Sequence, residues 1–177
     1  GWHYIDSEDK NIILRSINNQ NLLTAGKYQK KLEQKLSRYL NCKYALACNS
    51  ATGGIHLSCL AINLKKGDNV IIPTVNFIAA ASICSQMGAN VFFADIDTST
   101  GQMSPQNLID CIKKNNIKKI KLFFTMYLGG SAKNIVEFQK IKKKLNCFLI
   151  EDACHAFGAN YSQKNISKKV GCSYYSD

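Results

Sequence analysis

Nowhere in this 177-residue chain is there an apolar run long enough to cross a bilayer. The longest, around Phe77 to Cys84, is broken by Ser82. The opening Gly1-Trp-His-Tyr4 lacks the basic segment and apolar stretch of a secretion signal. It also lacks an initiating methionine, which reads as a fragment or a processed start. The eight cysteines contain no C-x-x-C pair and no metal-ligand spacing with histidine, so no metal site is expected. Most lie in apolar segments such as Cys147-Phe-Leu-Ile150, where a thiol acts as a small buried hydrophobe. Without a secretion signal, reduced thiols and a cytoplasmic location are expected.

Two phosphate-binding signatures are missing as well. No G-x-G-x-x-G follows the first predicted strand, and no G-K-[ST] occurs anywhere. Ordinary dinucleotide and P-loop chemistry are therefore unsupported. Acidic residues are scarce, 12 against 23 basic ones, for a net charge of +11. The lysines are dispersed in short groups such as Lys113-Lys114, Lys118-Lys119 and Lys142-Lys143-Lys144. They are not interleaved with aromatics as in a strand-binding groove. A solvated surface is expected, with neither nucleic acid nor membrane as a partner.

What is present is a globular composition, 46% apolar and 20% charged, in a chain long enough for one sizeable core. Residues 6–18 and 27–40 repeat apolar positions at helical spacing, the second through Tyr28, Leu32, Leu36, Tyr39 and Leu40. From residue 43 short apolar runs alternate with helical stretches. The pattern predicts strands over 43–48, 69–72, 90–94, 119–125 and 147–150. It predicts helices over 53–62, 77–87, 105–115 and 133–145. Runs such as Val70-Ile-Ile72 do not alternate, which fits strands buried on both faces of a mainly parallel sheet. The expected architecture is a three-layer α/β/α domain over 43–177, preceded by a helical arm over 1–42. Residues 161–177 read as a loop or hairpin.

Ligands of such sheets bind beyond the carboxyl ends of the strands. Three segments fall there. Asn49-Ser-Ala-Thr-Gly-Gly54 opens a helix, and its free N–H groups suit either a plain N-cap or an anion site to which Thr52 adds a donor. Ile150-Glu-Asp-Ala-Cys-His155 brings Asp152 and His155 to a strand end, as structural residues or as ligand contacts. A buried carboxylate beside a phosphate site could keep a pyridinium nitrogen protonated, the electron sink that pyridoxal phosphate (PLP) chemistry needs. Pro73-Thr-Val-Asn-Phe77 places Phe77 near the same edge, as core or as a ring to stack on a flat ligand.

In this order the segments resemble the DegT/StrS-type sugar aminotransferases, which are fold-type I PLP enzymes. The resemblance runs from about Asp6 to Asp177. It includes Leu23-Thr-Ala-Gly26, Asn49-Ser-Ala-Thr52, Gly67-Asp-Asn-Val-Ile-Ile-Pro73, Ala94-Asp-Ile-Asp97, Glu151-Asp-Ala-Cys-His-Ala-Phe-Gly158, Lys169-Val-Gly171 and Ser176-Asp177. The fold it implies is part of the PLP-dependent transferase large domain. It implies that Thr52 and the Gly53 backbone hold the cofactor phosphate. Phe77 would stack on the ring, Asp152 pair with its nitrogen, and His155 lie beside its 3-hydroxyl. Thr24 would lie near the sugar. The family often carries histidine where this chain has Met126. Its Schiff-base lysine, and a phosphate-contacting serine, fall beyond the position of Asp177, so no lysine is nominated and the stretch alone is expected to be inactive.

The implied reaction moves an amino group, from glutamate, to a keto sugar carried on a nucleotide, for cell-surface polysaccharide or glycan synthesis. A homodimer is implied too. Two alternatives stay open: a PLP-dependent sugar dehydratase of the same family, in which histidine replaces the lysine, and a non-catalytic basic α/β binding module.

Overall fold

The computed structural model describes residues 3–18, 26–162 and 168–177. The chain parts into two compact units, Gly1–Ala47 and Cys48–Asp177.

In the first unit, α1 (Ser7–Asn18) starts at Asp6, whose carboxylate accepts from the N–H groups of Glu8 and Asp9 at 2.9 and 3.0 Å. That satisfies two of the donors every helix start leaves over. Helix α2 (Lys27–Leu40) ends on Asn41, at φ 52°, and the Cys42 N–H returns to the Ser37 carbonyl at 3.0 Å. Neither helix buries a residue within the described structure.

The strand expected over 43–48 does not form. Its alternation is real, because Tyr44 and Leu46 are exposed while Ala45 and Ala47 are half-buried. The Ala47 N–H donates instead to the Glu33 carboxylate at 2.9 Å. A strand exists only beside a neighbour that takes its backbone bonds, and among the described residues none lies there.

The second unit is the three-layer domain. Helix α3 (Ala51–Ala61) leads to β1 (Asn69–Pro73), α4 (Ala79–Gln86) and β2 (Asn90–Ala94). Then come α5 (Pro105–Lys114), β3 (Leu122–Met126), α6 (Ile135–Leu145) and β4 (Phe148–Asp152). The sheet order is β2-β1-β3-β4 and every pair is parallel. Helix boundaries follow local chemistry. Ser104 and Asn107 form a reciprocal cap at the start of α5, with Pro105 in its first turn. Asn63, Asn116 and Asn146 take left-handed φ values of 54°, 50° and 48° after α3, α5 and α6. The N–H of the following Leu64, Ile117 and Cys147 then returns to the last turn. Asparagine here does the work more often given to glycine, because its short polar side chain tolerates that region.

Side-chain parity along the strands builds two cores. Val70, Ile72, Leu122, Phe124 and Ile150 face α3 and α4, meeting Ile55, Cys59 and Cys84. Ile71, Phe123 and Leu149 face α5 and α6, meeting Leu108, Ile135 and Phe138. All eight cysteines are free; Cys59 and Cys84 share a hydrogen bond between their Sγ atoms at 4.0 Å, with no disulfide. The order reverses between β1 and β3, so the crevice at their carboxyl ends is where a ligand is expected. No helix among the described residues is long and apolar enough to cross a membrane.

Candidate active site

Helix α3 presents its N-terminus on the α3/α4 face. Ser50 caps it, and its hydroxyl accepts from the Gly53 N–H at 3.1 Å. The Gly53 amide is thus engaged by the cap, and the first-turn amides of Ala51 and Thr52, with the Thr52 hydroxyl, remain to meet an anion. The loop lies close against the helix start. A Cβ on Gly53 would come within 3.0 Å of Asn49 Oδ1, and one on Gly54 within 3.3 Å of Cys48 Sγ. Any larger residue would have to displace these side chains.

Asp152 closes β4. It is buried at 7% exposure and lies in register beside Met126, itself buried. Parity from Phe148 and Ile150 puts its side chain on the α3/α4 face, the same face as the α3 N-terminus. One carboxylate oxygen accepts from the Cys154 N–H at 3.2 Å. Among the described residues no lysine, arginine or histidine lies within ion-pair distance of it. A buried carboxylate without a cation is costly.

Cys154 reports on that charge. Burial first, then the adjacent Asp152, pushes its thiol up to about 11. Alkylation of Cys154 at pH 8 should therefore run about 100-fold slower than that of an ordinary thiol, because only the thiolate reacts. Asp152→Asn should speed it. Mass-spectrometric timing of iodoacetamide labelling checks both.

Phe77 lies 70% exposed in the turn after β1, a ring face open to a flat ligand. Beside it, both polar atoms of the Asn76 carboxamide are buried without a hydrogen-bond partner. Such orphaned atoms are rare in folded proteins. His155 is exposed, and its Nδ1 accepts from the Gly129 N–H at 3.4 Å. Thr24 lies outside the described residues.

Sequence reasoning missed Glu151, whose side chain faces the opposite core. Tyr127 donates its hydroxyl to Glu151 Oε2, and Tyr161 donates to both carboxylate oxygens at 3.1 and 2.9 Å. Burial, then the Glu151 charge, pushes both phenols up, so they stay protonated donors. It also missed Asn76 and Gln102. Strand parity was the available signal for Glu151; adjacent strand residues must point to opposite faces.

The profile of the DegT/DnrJ/EryC1/StrS aminotransferase family matches residues 3–176. The chain belongs to that family. It is 28% identical to GDP-perosamine synthase of Escherichia coli O157:H7 over 162 residues, which are 92% of this chain and 43% of that protein. The X-ray structure of the aminotransferase from Psychrobacter cryohalolentis superposes with a TM-score of 0.86 at 25% identity, covering 97% of this chain and 42% of that one. An E. coli GDP-4-keto-6-deoxy-D-mannose-3-dehydratase with bound hydrated PLP follows at 27% identity and TM-score 0.82, covering 93% and 42%. The chain spans less than half the length of these relatives.

Proposed function

We propose that this chain forms the cofactor-facing half of a PLP-dependent aminotransferase that aminates a keto sugar carried on a nucleotide, with glutamate as donor. The observation that carries the reading is Asp152, a buried carboxylate with no cation among the described residues, on the sheet face that α3 packs against. A protonated pyridine nitrogen is the cation that fits it. When bound, PLP supplies an electron sink for a carbanion next to the transferred nitrogen. The chain's own residues hold and orient it. The Thr52 hydroxyl and the α3 N-terminal amides, Gly53 among them once its cap bond opens, take the phosphate. Phe77 covers one ring face, Asp152 keeps the nitrogen protonated, and His155 meets the 3-oxygen. The names of the relatives, a GDP-perosamine synthase and a GDP-4-keto-6-deoxy-D-mannose-3-dehydratase, support a nucleotide-linked sugar as substrate. Thr24 is assigned to the sugar side on family likeness alone. Glycan synthesis in the cytoplasm by a homodimer, with residues 1–42 as its helical arm, completes the reading.

None of the chain's lysines stands in the family's catalytic context. We infer that these 177 residues hold the cofactor without turning over. Titration with PLP and with pyridoxamine phosphate, followed by absorbance, should show saturable binding, and a glutamate-dependent transamination assay should show none. Absence of cofactor binding together with salt-sensitive DNA or RNA binding would instead support a basic binding module. The dehydratase neighbour favours a second reading with the same cofactor, in which histidine stands at the lysine position. The residue found there in the coding sequence separates the two.

A further inference from the structure

The corner after β3 is held on several sides, and it presses on His155. Leu128–Gly130 form a single irregular turn with Gly129 at φ 66° and Gly130 at φ 83°. A Cβ on Gly130 would stand 2.8 Å from the His155 carbonyl oxygen, so the corner touches the His155 backbone. Gln102, only 9% exposed, donates from Nε2 to the carbonyls of Leu128 and Ser131 at 3.1 and 2.9 Å. Tyr127, at the head of the corner, donates to Glu151. Tyr161 donates to the same carboxylate, and the Ser162 N–H beside it donates to the Ala132 carbonyl at 2.8 Å. Two phenols on one carboxylate are charge-assisted bonds, about twice the strength of neutral ones.

A backbone amide can only donate. The ring nitrogen it meets must therefore carry a lone pair, which leaves the proton of neutral His155 on Nε2. At 3.4 Å the Gly129–His155 bond is near the outer limit of such contacts. A shift of a few tenths of an ångström decides whether it is made. Its geometry depends on the brace.

We propose that the corner Tyr127–Ala132 fixes His155 in the Nε2–H tautomer, and that Glu151 and Gln102 are the positioning residues that hold the corner in place. Nε2–H is then a fixed donor for an oxygen lone pair on a bound ligand. That it serves the 3-oxygen of PLP rests on the proposed function; the tautomer itself does not.

The test is nitrogen NMR of the imidazoles in the 177-residue chain without cofactor, above pH 8. The His155 signals are identified by their loss in His155→Gln. Wild type should show Nδ1 unprotonated and Nε2 protonated. Glu151→Gln and Gln102→Leu should each raise the share of the Nδ1–H form about fivefold, the effect of losing one net hydrogen bond. Tyr161→Phe keeps the ring and the Tyr127 bond, should fold, and should give a smaller rise in the same direction. A protonated Nδ1 in the wild type overturns the proposal. So does an unchanged tautomer ratio in every folded variant of the three. PLP titration of the same samples reads the functional assignment separately: the expected tautomer with no cofactor binding would sink that assignment and leave the brace standing.

Discussion

Asp152→Ala should weaken PLP binding by about 100-fold or more, because truncating one partner of a buried charge pair costs about 2–5 kcal/mol. The expectation has an unusual companion. This buried carboxylate accepts from the Cys154 N–H and meets no cation among the described residues. Removing it takes away a desolvated carboxylate along with its bonds to Cys154, so the free protein should lose no more than about 1 kcal/mol of stability. A residue that only held the strand end together would behave in the opposite way, with stability falling and affinity following it. Parallel measurement of chemical unfolding and of PLP affinity in wild type and Asp152→Ala distinguishes the two. A variant that loses several kcal/mol of stability and binds PLP as the wild type does would remove the central support for the functional reading.

Phe123→Ala should cost about 3–5 kcal/mol of unfolding free energy. Phe123 lies in the middle of β3, is fully buried, and packs at 5.9 Å between ring centroids on Phe138 of α6. Strand β3 is buried along its whole length, flanked by β1 and β4 and covered by helices on both sides. A cavity there cannot collapse cheaply, because the surrounding side chains are anchored in two layers. Against the total of about 5–15 kcal/mol typical of a domain, the loss is a large share. A denaturant melt should show a lower midpoint at unchanged slope. A loss under about 1 kcal/mol would mean that this core is loosely packed.

Much of the second unit was legible because its determinants are local. Strand β2 falls on the predicted residues 90–94, and β1, β3 and β4 lie within a few residues of theirs. Uninterrupted runs such as Val70-Ile-Ile72 have few alternatives to a strand covered on both faces. The helices end where asparagine or glycine follows the last apolar position, which is chemistry a single residue carries. The one strand that did not form, over 43–48, carries the right residues and the right alternation. Its pairing depends on another segment, which local pattern cannot supply.

The site divides in the same way. Asp152, His155, Thr52 and Phe77 could be named from the sequence because each stands at the end of a readable element, in a short motif with a known order. The sequence by itself determined most of the elements and their parallel layering, which follow from periodicity and turn chemistry, while the family was legible only as a resemblance carried by its motifs. Only the tertiary structure decided that Asp152 meets no cation among the described residues, that the Gly53 amide is already engaged by Ser50, and that Tyr127, Glu151 and Tyr161 share one network. Those facts depend on which side chains from distant parts of the chain arrive at one point. Neighbours in the chain record strand parity, but whether a buried group finds a partner is settled only when the layers close.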